Sequence, residues 1–222
     1  YSIGTMVIAI DCPSGAGKGT LAKRLAQALG FNYLDTGLLY RAVGWSMLDQ
    51  GLDLKDAVKA AEIAKNIDIS QFREEDLRSE RAGQSASIVS EYPEVRQALL
   101  DYQRRYATPP YGGAPGVILD GRDIGTVVCP KADLKIFITA PLETRAQRRF
   151  KELQDRGINC IYESVLHDMR MRDERDQHRH VSPATPAQDA VIIDTSLLTA
   201  DQVFDRVMSI IKNSEIRWQT SL

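Results

Sequence analysis

The stretch MVIAIDCPSGAGKGT, from Met6 to Thr20, joins a short apolar run to a glycine-rich loop. The apolar run is rich in Val and Ile and has no polar alternation, which is typical of a strand buried on both faces. The pattern that follows, KGTLAKRLAQAL from Lys18, is helical. A strand, a glycine loop and a helix in this order favour a phosphate-binding loop over a plain strand-to-helix turn.

The residue types of this loop suit a polyanionic ligand. Gly15 and Gly17 let the backbone curl so that successive N–H groups point at phosphate oxygens. The helix N-terminus adds its positive end, and Lys18 adds a full charge. The sequence therefore predicts that the loop binds a nucleoside triphosphate.

The loop departs from the common nucleotide-binding pattern at both ends. Cys12 stands where the first glycine belongs, and Gly19 stands where the magnesium-binding hydroxyl belongs. A magnesium ion would then be held by Thr20, by water or by a carboxylate elsewhere. Cys12 is either a small, tolerated replacement or a thiol made reactive by the anion-binding loop beside it.

Apolar runs of strand length alternate with helical patterns along the whole chain. Predicted strands lie at 6–11, 31–35, 117–120, 134–139 and 190–194, and predicted helices at 19–29, 37–50, 54–66, 94–106, 142–156 and 200–211. This alternation predicts an α/β fold, in which a parallel five-stranded sheet carries helices on both faces. Two segments do not alternate, 38–106 and 151–185, and we expect both to lie over the carboxyl edge of the sheet, where ligands bind.

Composition excludes several classes of function. The chain has 222 residues, 43% of them hydrophobic and 26% charged, and a formal net charge of −2. This charge gives no basic field to hold nucleic acid, and no apolar run reaches the roughly 20 residues that span a bilayer. The three cysteines, Cys12, Cys129 and Cys160, form no CxxC pair. We therefore expect a cytoplasmic protein, without nucleic acid or membrane as a partner.

Four motifs, taken together, resemble a known family. The GKGT ending of the loop resembles the loops of nucleoside monophosphate kinases. A regulatory GTPase fits less well, because the sequence has no Asn-Lys-x-Asp stretch to bind guanine. LDTGLLYR from Leu34, VILDGRDIGTVV from Val117 and RDERDQHR from Arg172 follow in the order seen in bacterial-type cytidylate kinases. Adenylate kinases would have Asp-Gly-Phe-Pro-Arg in place of DGRDIG. The resemblance runs from Met6 to Ile211 and implies transfer of the γ-phosphoryl group of ATP to CMP or dCMP.

The resemblance also implies a domain organisation. It makes 1–222 a single P-loop kinase domain, 38–106 the acceptor-binding insertion and 151–185 a lid-like segment. The stretch QFREEDLRSERAGQSAS is shorter than the strand-containing insertion that the family often carries. The expected partners are ATP, CMP and dCMP with Mg²⁺, and the expected state is a monomer.

Site residues follow from the same resemblance. The ATP-binding loop would be Ser14, Gly15, Ala16, Gly17, Lys18, Gly19 and Thr20. Residues implied to bind the acceptor are Thr36, Tyr40, Arg41, Ser87, Arg96, Arg122, Asp123, Arg172, Asp176 and Arg179. Among these, Ser87, Arg96 and Asp123 would read cytosine, and Asp176 would bind ribose hydroxyls. The residues implied to serve the donor side or the transferring phosphoryl group are Lys18 and Arg148 with Arg172 or Arg175, and Arg122 is counted with them as catalytic. Asp120 is a candidate magnesium partner acting through water.

The chemistry explains why arginine recurs in this set. The attacking phosphate oxygen is already ionised, so the enzyme must mainly bring two polyanions together and stabilise charge. The planar fork of arginine meets phosphate in bidentate fashion.

Several alternatives remain open at this point. MRMRDERDQHR could be a salt-bridged helix face, since Arg172 and Asp176 stand four residues apart. Asp120 could be a turn residue at a strand end. The whole chain could be a related P-loop kinase with another small acceptor, or a nucleotide-binding regulatory module.

Overall fold

The computed structural model describes residues 6–13, 18–108, 113–178 and 184–220. Its centre is a five-stranded sheet in the order β2-β3-β1-β4-β5, in which every neighbouring pair is parallel. The strands are β1 Met6–Asp11, β2 Asn32–Asp35, β3 Gly116–Gly121, β4 Leu134–Thr139 and β5 Val191–Asp194. All five predicted strands are confirmed, and so is the α/β class.

The helices cover both faces of this sheet. They are α1 Lys18–Leu29, α2 Thr36–Asp49, α3 Ala57–Lys65, α4 Glu74–Leu77, α5 Glu80–Val89, α6 Pro93–Ala107, α7 Leu142–Asp155, α8 Tyr162–His178 and α9 Ala200–Thr220. A 3-10 turn at Ile69–Gln71 and a π-helical turn at Ile124–Val128 complete the described elements. The six predicted helices are present, and α9 extends well beyond its predicted end at residue 211.

The central strand β1 explains why its sequence shows no polar alternation. Ile8 and Ile10 point into a cluster with Leu25 of α1 and Val207 of α9. Ala9, which points to the other face, joins a cluster that also contains residues of β3 and the π-helical turn. Both faces are buried, so apolar side chains at successive positions all contribute to the core.

Helices α2 to α6 form a layer with an apolar core of its own, built from residues such as Leu39, Val43 and Leu99. Helices α2 and α5 approach closely because Gly44 has no side chain: a Cβ there would lie 2.7 Å from the Cβ of Ser85. Within the described stretch 18–108, residues 38–106 contain no strand. The segment is therefore an all-helical attachment beside the sheet.

Helices α7 and α8 pack together through a smaller apolar cluster that includes Leu153, Val165 and Met169. The Arg145 guanidinium strengthens this pairing, because it donates two hydrogen bonds to the Asp173 carboxylate, at 3.1 and 2.5 Å. Among the described helices, none is both long and apolar enough to cross a bilayer.

Candidate active site at the carboxyl edge of the sheet

The strand register brings polar residues together at one edge of the sheet. Asp35 at the end of β2 pairs in register with Asp120 of β3, and Gly121 pairs with Asp11 of β1. Helix α2 begins immediately after β2, with Asp35 capping it by accepting from the Gly37 N–H at 3.1 Å. A cleft opens between this edge and the α2–α6 layer.

The cleft collects residues that are far apart in the chain. It is lined by Thr36, Gly37, Tyr40, Arg41, Gly83, Ala86, Ser87, Ser90, Arg96, Gly121, Arg122, Asp123, Arg172 and Asp176. Every acceptor-binding residue predicted from the sequence lies here, apart from Arg179, which falls outside the described residues.

One end of the cleft contains a buried ion pair, Arg96 with Asp123, next to the ring of Tyr40. The Arg96 guanidinium donates to the Asp123 carboxylate and, at 3.1 Å, to the carbonyl of Ser90. Its central carbon lies 5.1 Å from the centroid of the Tyr40 ring, within cation–π range. The buried Ser87 hydroxyl and the Arg96 Nε find no hydrogen-bond partner among the described residues. Buried polar atoms without partners point to a ligand that completes them.

The other end of the cleft concentrates positive charge. Arg41, Arg122 and Arg172 all line it, and burial together with repulsion from Arg172 and Arg122 lowers the pKa of Arg41 to about 10. Burial likewise lowers the pKa of Arg172, with a further contribution from Arg122. Three guanidinium groups this close repel one another unless an anion lies between them, as a phosphate would.

Each of these arginines is held by a second group. Arg122 forms an ion pair with Asp176 at 2.5 Å, and Arg41 donates to the Leu77 carbonyl at 2.8 Å. Burial opposes the charge of Arg122, but the attraction of Asp176 raises its pKa. Arg172 donates to the Glu80 carboxylate at 2.5 Å. The arginine heads are thus oriented before any ligand arrives.

Glu80, at the first position of α5, is a site residue that sequence reasoning missed. One carboxylate oxygen accepts from Arg172 of α8 and the other from Arg149 of α7, the latter at 2.6 Å. Burial would raise the pKa of Glu80, but Arg172 and Arg149 hold it below its usual value. The partner Arg172 lies 92 positions away, so no local pattern could have identified the contact.

Gly83 makes room for this arrangement. A Cβ at that position would lie 3.0 Å from the Arg172 Nη2 and 3.2 Å from the Arg41 Nη2. Both distances are tighter than ordinary van der Waals contact. The absence of a side chain at Gly83 therefore lets α5 press its backbone against two of the three arginines.

Helix α8 places two site residues on its buried face. That face runs through Val165, Met169, Arg172 and Asp176, at a spacing that keeps one side of a helix turned inward. Arg172 pairs with Glu80, and Asp176 pairs with Arg122. The alternative of a solvated, salt-bridged helix face is therefore wrong for these two residues.

Asp120 is fully buried beneath the cleft. Its carboxylate accepts from the Tyr33 hydroxyl at 2.7 Å, and its carbonyl accepts from the Thr36 hydroxyl at 2.7 Å. Burial and the charges of Asp120 and Asp35 raise the pKa of Tyr33. In the part of the chain that the structure describes, no group of three or more His, Cys, Asp or Glu residues could form a metal site. The magnesium role of Asp120 stays a prediction.

The predicted ATP-binding loop is described only in part. Ser14, Gly15, Ala16 and Gly17 lie outside the described residues, as does the side chain of Lys18. Thr20 is exposed on α1 and lines a second cleft together with Arg148, Thr195 and Phe204. Arg148 donates to the hydroxyl and the carbonyl of Thr195, at 2.9 and 2.6 Å.

Two predicted catalytic arginines thus lie apart from the first cleft, which holds the residues predicted to bind the acceptor. Arg148 belongs to the second cleft, next to the start of α1. Arg175 of α8 contacts the side-chain oxygen of Gln84 at 3.4 Å and lines neither cleft. The structure therefore brings Arg122 and Arg172 together and leaves Arg148 and Arg175 on the periphery.

Cys12 lies in the apolar core rather than on the surface of the loop. Its side chain is 1% exposed and packs in the cluster between β1 and α1. Its backbone N–H donates to the Gly121 carbonyl at 3.1 Å. This environment suits a small apolar side chain and agrees with the interpretation of Cys12 as a tolerated replacement.

Comparison with known proteins agrees with this geometry. Residues 8–213 match the family model described as cytidylate kinase. The chain is 56% identical over 205 residues to a cytidylate kinase of Paramagnetospirillum magneticum, covering 92% of this chain and 97% of that one. It is 52% identical over 206 residues to a cytidylate kinase of Rhodospirillum rubrum, with 93% and 97% covered.

A comparison of folds extends to more distant proteins. The crystal structure of a gluconokinase from Sinorhizobium meliloti superposes with a TM-score of 0.50 at 14% identity, covering 98% of both chains. At that identity the likeness concerns the fold alone. The extent of the family match and the identity to its members show that this chain belongs to the cytidylate kinase family.

Proposed function

We propose that this protein transfers the γ-phosphoryl group of ATP to CMP and dCMP, producing the corresponding diphosphates. The observation that carries the proposal is the single cleft in which the Arg96–Asp123 pair and Ser87 lie beside the cluster of Arg41, Arg122 and Arg172. One end offers hydrogen-bonding groups for a base, and the other offers charge for a phosphate. A nucleoside monophosphate has these two features.

The base end favours cytosine over uracil. Cytosine presents an N4 amino donor, which a carboxylate such as Asp123 can accept. Uracil presents O4 at the same place, an acceptor that a carboxylate repels. The unpartnered Ser87 hydroxyl and Arg96 Nε supply further hydrogen-bonding capacity at this end. Together these groups support cytosine as the acceptor base.

The reaction needs no general base. The attacking oxygen of CMP is ionised at neutral pH, so the residues of the cleft bind and orient it while arginines balance the charge of the transferring group. Arg41, Arg122 and Arg172 would hold the acceptor phosphate, with Arg179 and Thr36 assisting. Their prior fixation by Leu77, Asp176 and Glu80 reduces the reorganisation needed when the substrate arrives.

The donor nucleotide is assigned to the loop 14–20 and the second cleft. Arg148 in that cleft is a charged group near the start of α1, and we assign it to the donor side. Arg175 lines neither cleft and contacts the Gln84 side chain at 3.4 Å, so its role on the phosphoryl group stays a prediction. Magnesium bound with ATP would neutralise the β- and γ-phosphates. Thr20 and Asp120 would be the residues that hold this ion, Asp120 through water.

The proposal extends to the setting of the reaction. Cys12, Cys129 and Cys160 form no disulfide, which supports a reducing cytoplasm. All the described residues that line the cleft belong to one chain, and we infer that the protein acts as a monomer on free nucleotides. Residues 38–106 and 151–185 would be the acceptor-binding insertion and the lid.

A panel assay tests the proposal directly. Purified protein is incubated with ATP and Mg²⁺ and with CMP, dCMP, UMP, AMP or GMP, and each diphosphate is quantified. CMP and dCMP should be phosphorylated far better than the others. A preference for UMP or AMP would overturn the base assignment, and ATP hydrolysis without transfer to any monophosphate would favour a regulatory module.

A further inference from the structure

Asp11, the last residue of β1, uses both oxygens of its carboxylate on a distant backbone segment. One oxygen accepts the Ile124 N–H at 2.9 Å, and the other accepts the Gly125 N–H at 2.8 Å. These are the first two residues of the π-helical turn, and Asp11 is buried. A carboxylate at the start of a helical turn stabilises N–H groups that have no partner within the turn.

A second tie lies one residue along the chain. The Cys12 N–H donates to the Gly121 carbonyl at 3.1 Å. Arg122 and Asp123 therefore lie between two anchor points, both of which belong to the residues directly before the glycine-rich loop. These two side chains line the acceptor cleft and make its ion pairs with Asp176 and Arg96.

The glycine at position 125 allows Asp11 to come this close. A Cβ on Gly125 would lie 3.3 Å from the Asp11 Oδ2 and 3.2 Å from the Lys135 Cδ. Both contacts are tighter than ordinary van der Waals contact, so the neighbouring atoms would have to give by a few tenths of an ångström. The position of the turn thus depends on Gly125 as well as on Asp11.

We propose that Asp11 is a positioning residue for acceptor recognition, which fixes the segment bearing Arg122 and Asp123 and so sets both the affinity for CMP and the choice of base. This inference rests on the proposed function. If the carboxylate is lost, two buried N–H groups lose their acceptors and the segment shifts to find others. A displacement of about 1 Å in a positioning element can reduce activity by about 100-fold.

The first test is Asp11→Asn. The amide oxygen can accept one N–H, but the amide NH₂ must face the other, so the turn cannot keep its position. The KM for CMP should rise at least about tenfold, and the ratio of kcat/KM for CMP to that for UMP should fall at least about tenfold. The KM for ATP should change much less.

Asp133→Asn is the matched control. The Asp133 carboxylate also accepts a backbone N–H, that of Val7 at 2.7 Å, but at the opposite end of β1. This variant loses the same charge, but its amide oxygen can still accept the single Val7 N–H, so it should leave the selectivity ratio and both KM values close to those of wild type. Thermal unfolding of both variants shows whether each is folded at the assay temperature.

Gly125→Ala is the second test and does not alter Asp11. The added methyl group forces the turn and its neighbours to give by a few tenths of an ångström, so losses in CMP affinity and base selectivity in the same direction, but smaller, are expected. A folded Asp11→Asn with wild-type selectivity and KM for CMP would overturn the proposal, as would a defect confined to the KM for ATP. If Asp11→Asn does not fold, wild-type values in Gly125→Ala would overturn it. A wild-type enzyme with no preference for CMP would refute the proposed function itself, before any variant is measured.

Discussion

The carboxylate of Asp123 and the guanidinium of Arg96 form a buried ion pair at one end of the acceptor cleft. The two residues lie 27 positions apart, on the segment after β3 and on α6. Such a pair is costly to bury unless additional hydrogen bonds satisfy its remaining donors and acceptors. Arg96 also donates to the Ser90 carbonyl, and its Nε has no hydrogen-bond partner among the described residues, so a bound base could supply one.

Asp123→Asn should therefore erode the preference for CMP over UMP. The amide can donate to the O4 of uracil, which the carboxylate repels, and it no longer balances the charge of Arg96. A site built on such hydrogen bonds can discriminate by about 10⁴-fold, so a loss of about 10²-fold would be easily measured. The measurement is the ratio of kcat/KM for CMP and UMP. Asp101→Asn, at an exposed position on α6, is the control and should keep the wild-type ratio.

Glu80→Gln should weaken catalysis with CMP through Arg172. The amide retains one acceptor oxygen but lacks the charge that now holds Arg172 and Arg149 together. We expect kcat/KM for CMP to fall at least about fivefold, because Arg172 loses its fixed orientation. Glu152→Gln is a closely matched control: Glu152 also contacts Arg149, at 2.9 Å, but its side chain is largely exposed. Equal activities in the two variants would show that the bridge through Glu80 does not position Arg172.

The sheet could be predicted from short apolar runs without polar alternation, and six of the helices from their helical periodicity. Helices α4 and α5 could not, since the stretch from Gln71 to Ser90 is rich in charged and small residues. One local contact and one tertiary contact support α5 instead. The Ser79 hydroxyl caps its first turn, and Ser85 packs against Gly44 of α2.

The candidate site also contains some residues that could be predicted from the sequence and others that could not. Residues of the acceptor cleft were predictable from motifs that stand together in the chain, such as the one containing Arg122 and Asp123. Glu80 and Asp11 were not, because their partners lie 92 and 113 positions away and their roles arise only when the chain is folded. For Arg148 and Arg175 the resemblance implies a role on the donor side or on the transferring phosphoryl group, and packing places both outside the acceptor cleft.

The arginine cluster predicts how phosphate affects stability. Arg41, Arg122 and Arg172 repel one another in the free protein, so CMP should raise the melting temperature through its phosphate. At 100 times its Kd a ligand contributes about 2.7 kcal/mol, or a shift of about 5 to 10 °C for a chain of this size. Cytidine, which lacks the phosphate, should give a much smaller shift at equal concentration. The CMP shift should also shrink as salt is added. Equal shifts with CMP and cytidine would remove the arginines from phosphate binding.

The pH dependence of that stabilisation follows from Arg41. Its folded-state pKa of about 10 lies below the usual 12.5, so the cost of burying its charge is fully present below pH 10 and is relieved as the pH rises from 10 towards 12.5. Between pH 7 and 9 the guanidinium stays charged and the phosphate stays a dianion. The CMP-induced shift should therefore be flat across this range and decline above about pH 10. A steep change between pH 7 and 9 would mean that another group controls phosphate binding.

The three cysteines should react with an alkylating reagent at different rates, in an order set by burial. Cys12 is 1% exposed in the core, and burial raises the pKa of the half-buried Cys129 to about 11. At pH 8 only about 0.1% of such a thiol is thiolate, against about 10% for a thiol of pKa 9.0. Cys160, half-buried in the turn between α7 and α8, should be labelled first.

The behaviour of Cys12 decides between the two interpretations of this residue. Peptide mass spectrometry with and without ATP and Mg²⁺ should show slow labelling of Cys12 that is indifferent to nucleotide, because the thiol packs in the cluster between β1 and α1. Cys12→Gly should keep kinase activity, since the backbone N–H that contacts Gly121 is retained. Fast labelling of Cys12 that ATP suppresses, together with loss of activity, would instead establish a reactive thiol beside the phosphate-binding loop. It would also mean that the core around Cys12 opens during the labelling reaction.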